Sequence, residues 1–470
     1  MLTSLQGSAR PPAGLRPFAL PALRHPTVTT LLTDHRALLA ELLDGLGSPL
    51  HVVLPEVFEE NLTRLRQAFT TAGAPADVLF AKKANKAACF VDSAAALDAG
   101  VDVAGAPELL GALAGGVPGH RIGISGPEKD DALHALAVRH GCLVAVDSPG
   151  ELDRLAATAR SVGRRARVLL RIRTAGQSGS RFGIPEAGVP AAVGRCAELA
   201  DHLRLRGFSF HLNGYDPAER ATAANRSIAY GLDARRRGCP EAELVDIGGG
   251  LPVRYVEPHT WKAFLAQDRP VHYHAAKEFA GSYPYGGRTA IEAVGELLTH
   301  PVDGTESLAA KARRTGTRLL VEPGRALLDQ AGFTLFRVRQ VDDRRNEDGY
   351  AVVTVAGTSF SLSEQWFGSE FLPDPVLLPA GPPEPRTTPP DTTFPACVAG
   401  STCLESDLLT WRKIGFPRPV RPGDHLAYLN TAGYQMDSNE SPFHGAALPL
   451  KAVLRVGDGS LPPRWHLDGV

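Results

Sequence analysis

No stretch of this 470-residue sequence is apolar over the roughly 18–20 residues that a membrane-crossing helix needs. An excess of positive charge is missing as well. The formal net charge is -1, which leaves nothing to displace counterions from a nucleic acid. Met1 to Pro26 is rich in Pro, Arg and Leu without a continuous apolar core, so it does not read as a secretory leader. Six cysteines are present (Cys89, Cys142, Cys196, Cys239, Cys397, Cys403), and no two form a Cys-x-x-Cys pair. That spacing offers neither a zinc site nor a disulfide framework, so no metal is expected and the expected compartment is reducing and cytoplasmic. Internal repeats and heptad runs are absent too. What remains is the composition of a globular chain, 43% hydrophobic and 21% charged, long enough for two or three domains.

From about residue 55 the sequence alternates between helical and extended patterns. Phe58, Leu62, Leu65 and Phe69 mark one face of a helix. Short β segments follow at Val78–Ala81, Val101–Ala104, Arg121–Ser125, Leu143–Asp147, Val168–Ile172, Gly207–Leu212, Leu244–Gly248 and Arg318–Glu322. Most are separated by helix-length stretches, which predicts an α/β fold, a TIM-like (β/α)8 barrel. After Glu322 the character changes. Thr334–Val341, Ala351–Val355, Cys397–Gly400, His425–Leu429 and Lys451–Val456 read as antiparallel strands of an all-β domain, with a Pro-rich connection at Leu372–Pro390. The expected boundaries are an N-terminal arm over 1–54 that partly joins the β domain, a barrel over 55–330, and the β domain over 331–470. An insertion at 251–317 carries His272, His274, Tyr283 and Tyr285. It is far longer than a usual connection and reads as an inserted subdomain or a lid.

Period-two reading of the first barrel strand puts Val78, Phe80 and Lys82 on one face and Leu79, Ala81 and Lys83 on the other. The bulkier face suits packing on helices, which turns Lys83 inward. A lysine at the C-terminal end of a barrel strand can hold a carbonyl cofactor as a Schiff base, although one lysine alone reads as merely solvated. Other strands repeat the asymmetry: Leu169, Arg171 and Arg173 oppose Val168, Leu170 and Ile172, and Ser209 and His211 oppose Phe208, Phe210 and Leu212. The polar groups expected at the barrel mouth are Lys83, Asp102, Ser125, Asp147, Arg171, His211, Gly248 and Glu322. Gly248-Gly249-Gly250 reads as a turn or as a phosphate cradle. Glu322-Pro323-Gly324-Arg325 supports the second reading, because the last two βα loops of barrels commonly hold phosphate.

The set of motifs resembles the fold-type III pyridoxal phosphate decarboxylases, which include the diaminopimelate, ornithine and arginine decarboxylases. It comprises Phe80-Ala81-Lys82-Lys83-Ala84-Asn85, Asp102-Val103-Ala104, Ser180-Arg181-Phe182-Gly183, Phe210-His211, Gly248–Gly250 and Glu322–Arg325. Gly400-Ser401-Thr402-Cys403 with Asp407, Pro422-Gly423-Asp424 and Ala432-Gly433-Tyr434 continue it, so that it extends from about Pro49 to about Leu454. The resemblance implies pyridoxal 5'-phosphate as cofactor, with Lys83 forming the Schiff base and Glu322 facing the pyridine nitrogen. It further implies that His211 stacks on the ring, and that Gly249, Gly250, Gly324, Arg325 and Tyr434 hold the phosphate. Asp102 and Arg171 would brace the lysine end. Cys403 would come from the other subunit of a homodimer and donate a proton after CO2 leaves; the alternative by spacing alone is a small buried cysteine of the β domain. The implied partners are a small amino-acid substrate and a second copy of the chain, with no nucleic acid and no membrane.

Three departures from the family pattern fall where substrate is read. Leu212-Asn213-Gly214 displaces the phosphate-binding serine expected after the histidine, so Asn213 stands in or other donors serve. Leu404 occupies the position of an acidic residue that contacts a substrate amine, with Glu405 next and Asp407 beyond. An arginine-containing segment is unrecognisable in Gly357–Gly368, where Thr358, Ser359, Ser361, Ser363 and Glu364 stand. The run Asn430–Asp437 is closer to decarboxylases of siderophore and natural-product pathways. The expected activity is therefore decarboxylation of a conjugated diamino acid. The alternatives are decarboxylation of free diaminopimelate, ornithine or lysine, a racemase on a related barrel, and a non-catalytic cofactor-binding regulatory protein.

Overall fold

The computed structural model describes residues 17–177, 179–362, 368–381, 393–457 and 462–469. Ser363 and Glu364, the start of the sequence and residues 382–390 of the Pro-rich connection lie outside the described residues. The chain divides into two compact units. One comprises Phe58–Pro252 with Arg288–Leu327, and the other the described parts of Met1–Val57, Val253–Gly287 and Leu328–Val470.

β1 (Leu50–Val53) belongs to the second unit. The first unit carries β2 (Ala76–Ala81), β3 (Gly100–Val103), β4 (Ile122–Ile124), β5 (Leu143–Val146), β6 (Ala166–Arg173), the two-residue β7 (Ile184–Pro185), β8 (Leu203–Ser209) and β9 (Leu244–Asp246). The hairpin β10 (Pro301–Asp303) and β11 (Glu306–Ser307) and the strand β12 (Arg318–Val321) complete it. The order β5-β4-β3-β2-β12-β9-β8-β6 is parallel throughout, and β5 pairs again with β6, so the sheet closes into a barrel. Each barrel strand expected from the sequence is present. Leu79, Leu143, Ala145, Leu169, Leu244 and Leu320 form one buried cluster. They come from strands on opposite sides of the sheet, so they can meet only inside the barrel. Each of these leucines contributes about 1.5–3 kcal/mol through burial. On the outer face Phe80 packs against Phe58 and Phe90 of the flanking helices, with ring centroids 5.0 and 6.2 Å apart.

The first strand is shorter than expected. β2 stops at Ala81, and Lys82–Ala84 form a 3-10 turn, so Lys83 follows the strand instead of standing on it. The two lysines still part company: Lys82 is buried with its ammonium donating to the Lys86 carbonyl at 3.0 Å, whereas Lys83 reaches β3.

The second unit contains β1, β13 (Gly332–Asp342), β14 (Ala351–Ala356), β15 (Val376–Leu378), β16 (Phe394–Ala399), β17 (Leu408–Phe416), β18 (His425–Leu429), β19 (Leu450–Arg455) and β20 (Arg464–Leu467). Their order is β17-β16-β14-β13-β1-β19-β20, with β18 pairing β13 and β15. The expectation of a purely antiparallel domain is corrected, since β14 pairs β16 in parallel and β1 pairs β19 in parallel. Sequence reading also passed over β17, because Arg412 and Lys413 interrupt its apolar pattern. Arg412 is nevertheless fully buried, its guanidinium donating to the Phe18 and Leu372 carbonyls and to Asp374. The 251–317 stretch divides between the units. Val253–Gly287 belongs to the second, and the helices Ala290–Thr299 and Leu308–Arg314 to the first. Its aromatic residues are engaged in packing: the buried Tyr285 donates to the Glu370 carbonyl at 3.1 Å, and His274 meets the Tyr350 hydroxyl at 2.8 Å.

Candidate active site

At the C-terminal ends of the barrel strands one ammonium faces three carboxyls. Lys83 Nζ lies 3.0 Å from Asp102 Oδ2, with Asp102 buried at the end of β3 and the lysine side chain 40% exposed. Asp246 ends β9 and Glu322 follows β12, and their side chains hydrogen-bond to each other. Burial raises Asp246 to about 6. Burial, then the charges of Asp102 and Asp246, raise Glu322 well above the usual carboxylate range. Two facing buried carboxyls cannot both ionise cheaply, so the pair retains a proton near neutrality. Asp102 Oδ1 is buried without a hydrogen-bond partner among the described residues. The site thus holds more anionic capacity than its own cation satisfies.

His211 lies just beyond β8. Burial, then Lys83, Arg171 and Arg220, push its imidazole down to about 4, so the ring is neutral at physiological pH. A neutral flat ring can stack on an aromatic cofactor without adding charge. The glycine loop lies against it. Gly248 and Gly250 have φ of 69° and 73°, and a Cβ on Gly249 would stand 2.6 Å from the Glu322 carbonyl oxygen. Only glycine satisfies both demands. Arg220, buried on the helix Pro217–Arg236, pins the loop by donating to the Ile247 carbonyl at 2.7 Å and the Gly250 carbonyl at 3.3 Å. Gly324 is buried, Arg325 half-buried and Asn213 exposed.

Arg171 pairs with Asp147 at 3.5 Å and stacks over Phe182 at 4.5 Å. Arg171 is held by this contact, and Asp102 meets Lys83. Asp147 also accepts from the Gly183 N–H at 2.7 Å, which docks the Ser180–Gly183 motif on the barrel. Behind it Lys129, fully buried, pairs with Glu151 at 2.8 Å.

Cys403, Leu404, Glu405, Asp407 and Tyr434 all belong to the second unit. Leu404 and Glu405 are exposed, whereas Asp407 is buried. The Asp407 carboxylate accepts from Ser359 N–H at 2.7 Å, Thr402 N–H at 3.0 Å and Thr402 Oγ1 at 2.7 Å. In this structure it braces the loop that carries Cys403, and its oxygens are committed there. Tyr434 has a φ of 75°, a costly left-handed backbone for a bulky residue and a common mark of functional positions.

Sequence reasoning missed Asp246 and Arg220. Asp246 could have been found, since it shares a strand face with Leu244 and stands two residues before the glycines. Arg220 gave no such signal, because it lies on a helix remote from the motifs.

Residues 57–281 match the family described as pyridoxal-dependent decarboxylase, pyridoxal binding domain. The uncharacterized protein y4yA of Sinorhizobium fredii is 38% identical over 445 residues, 94% of this chain and 95% of that protein. The chain belongs to the pyridoxal-dependent decarboxylases. The diaminopimelate decarboxylase of Bacillus subtilis is 27% identical over 436 residues, 88% of this chain and 87% of its own. Among solved structures, the Helicobacter pylori diaminopimelate decarboxylase complexed with L-lysine aligns with a TM-score of 0.69. It covers 91% of this chain and 95% of that one at 18% identity, a likeness of fold. Among the described residues of this decarboxylase no helix is long and apolar enough to cross a membrane, and no cluster suits a metal ion.

Pyridoxal phosphate fits the barrel site on three structural grounds. A lysine ammonium stands beside an under-satisfied carboxylate, a glycine cradle has no room for side chains, and a proton-retaining carboxyl pair lies within the field of the same lysine.

Proposed function

We propose that this decarboxylase acts on a diamino acid whose distal nitrogen is already conjugated to a carboxylate-bearing group, as in siderophore assembly. The observation that carries the reading is Leu404. It is 40% exposed beside Cys403, where an acidic residue would pair with a free substrate ammonium. Of the two carboxylates that follow, Asp407 is turned inward to Ser359 and Thr402, and Glu405 is exposed. A leucine can neither pair with nor solvate an ammonium, and burying one unpaired costs several kcal/mol, about 2–5. An acylated, uncharged nitrogen avoids that cost.

In this reading Lys83 anchors the cofactor's carbonyl carbon, and the glycine loop with Arg325 and Tyr434 receives its phosphate. His211 covers one ring face. Glu322, backed by Asp246, supplies the proton-holding contact to the pyridine nitrogen. When bound there, pyridoxal phosphate would supply the electron sink that departure of the carboxylate needs. Cys403 of a partner subunit gives a proton to the carbon that loses CO2, which makes a cytoplasmic homodimer with shared sites the working assembly.

Steady-state kinetics test the proposal with free ornithine, lysine and diaminopimelate against their N-acylated, carboxylate-bearing counterparts. A kcat/KM at least about tenfold higher on a conjugate is expected, since several kcal/mol of desolvation separate the two. A higher value on a free diamino acid would sink the idea, and no CO2 from either kind would favour a non-catalytic binding protein.

A further inference from the structure

Cys403 is the one exposed cysteine of the six, and its Sγ lies 3.3 Å from His444 Nε2. The imidazole is held from its own side. His444 packs on Phe443 with ring centroids 4.3 Å apart, and Phe443 meets Phe360 edge-on at 6.2 Å. His444 has a φ of 59°, a left-handed backbone that is uncommon for a histidine. Its loop therefore directs the ring to the sulfur through a strained turn and an aromatic ladder. The sulfur is held from the other side, where Asp407 braces Thr402.

We infer that Cys403 and His444 work as a thiol–imidazole pair, in which His444 is the positioning residue that returns a proton to the sulfur after each donation. The inference rests on the proposed reaction only for the step the thiol serves. The carbon that has lost CO2 takes the proton from Sγ–H, and the sulfur keeps the electron pair as thiolate. His444 Nε2–H, protonated at both ring nitrogens, then gives its proton to sulfur and is left neutral. One proton drawn from water restores the imidazole, so each CO2 released consumes one solvent proton, and no oxidant or reductant enters. The contact favours the donation step, because the thiolate left behind stands beside an imidazolium as an ion pair.

Arg339 of β13 lines a cavity with Thr358, Ser401 and Glu440, beside the loops that carry the pair. The Cys403 loop brings Glu405 and Asp407, the latter committed to Ser359 and Thr402, and the 439–449 segment brings Glu440. Gly357–Leu362, which supplies Phe360, brings none. His444 is therefore the one cationic partner that these three segments offer the sulfur.

Alkylation of the full-length protein by iodoacetamide tests the pair without any substrate. Because the other five cysteines are buried, the native protein should take up label at Cys403 alone. His444→Asn is the informative variant, since asparagine tolerates the left-handed backbone. At pH 6.5 the wild-type rate should exceed that of His444→Asn by about tenfold or more, and the rates should converge near pH 10, where thiols ionise unaided. Superimposable pH profiles would overturn the inference. Should His444→Asn expose the buried cysteines, His444→Gln carries the same expectation. During turnover His444→Asn should lower kcat with KM unchanged. A protein that releases no CO2 from any diamino acid yet shows the alkylation difference would refute the proposed function and leave the pair standing.

Discussion

Asp246 and Glu322 show how burial, not sequence position, decides what a carboxyl can do. With its folded value near 6 and an unfolded value near 3.8, Asp246 binds more protons folded than unfolded between those limits. Stability therefore falls as pH rises through that window, and the penalty persists above it. Asp246→Asn keeps an acceptor for the Gly248 N–H, which Asp246 now holds at 2.8 Å. The cofactor-free variant should thus melt above wild type at pH 7–8, with the gap closing near pH 4; a lower Tm at pH 8 would contradict the assignment. The neighbouring lysines permit a sharper test. Lys83→Ala should abolish the visible absorption of bound pyridoxal phosphate, whereas Lys82→Ala, whose ammonium caps the Lys86 carbonyl, should keep it. Absorption lost with Lys82 and kept with Lys83 would reverse the two roles. Lys83, Asp102 and His211 were legible as residues because each falls at or near the C-terminal end of an apolar run read as a barrel strand, although Lys83 stands in the turn after β2 and His211 just beyond β8. His444 was not, since its meaning depends on a contact with a loop 41 residues away.

At the scale of elements, the glycine loop after β9 is fixed from three sides, by His211, by the Glu322 carbonyl and by Arg220. A methyl group on Gly249 must displace backbone, because a carbonyl oxygen cannot rotate away as a side chain can. Overpacking of this kind costs about 1–3 kcal/mol, so Gly249→Ala should weaken cofactor binding roughly 5- to 160-fold in equilibrium dialysis. Unchanged affinity would mean that the phosphate lies elsewhere. The barrel strands were readable because each is a short apolar run between helix-length segments. The second unit was less so. Its β17 buries Thr410, Trp411 and Arg412 in sequence, and such a strand shows no alternation until the partners of the guanidinium are known.

For the whole molecule the decisive question is whether Cys403 serves a neighbouring subunit. Mixed Lys83→Ala and Cys403→Ala proteins, each inactive, should regain up to about a quarter of wild-type activity if sites are shared, since statistical mixing gives one intact site per heterodimer. Verified heterodimers without recovery would count against sharing.

The sheet of the second unit has a consequence for biosynthesis. β1 lies between β13 and β19, and its register pairs Leu50 with Leu335 on one side and with Leu450 on the other. A ribosome delivers Leu50–Val53 early, yet both neighbours emerge only after the last barrel strand, Arg318–Val321. The barrel can close while this strand, apolar but for His51, is still unpaired, and a nascent chain stalled before Leu450 presents it with an open edge. Chaperone demand during synthesis should therefore peak after the barrel is complete and end when β19 is released.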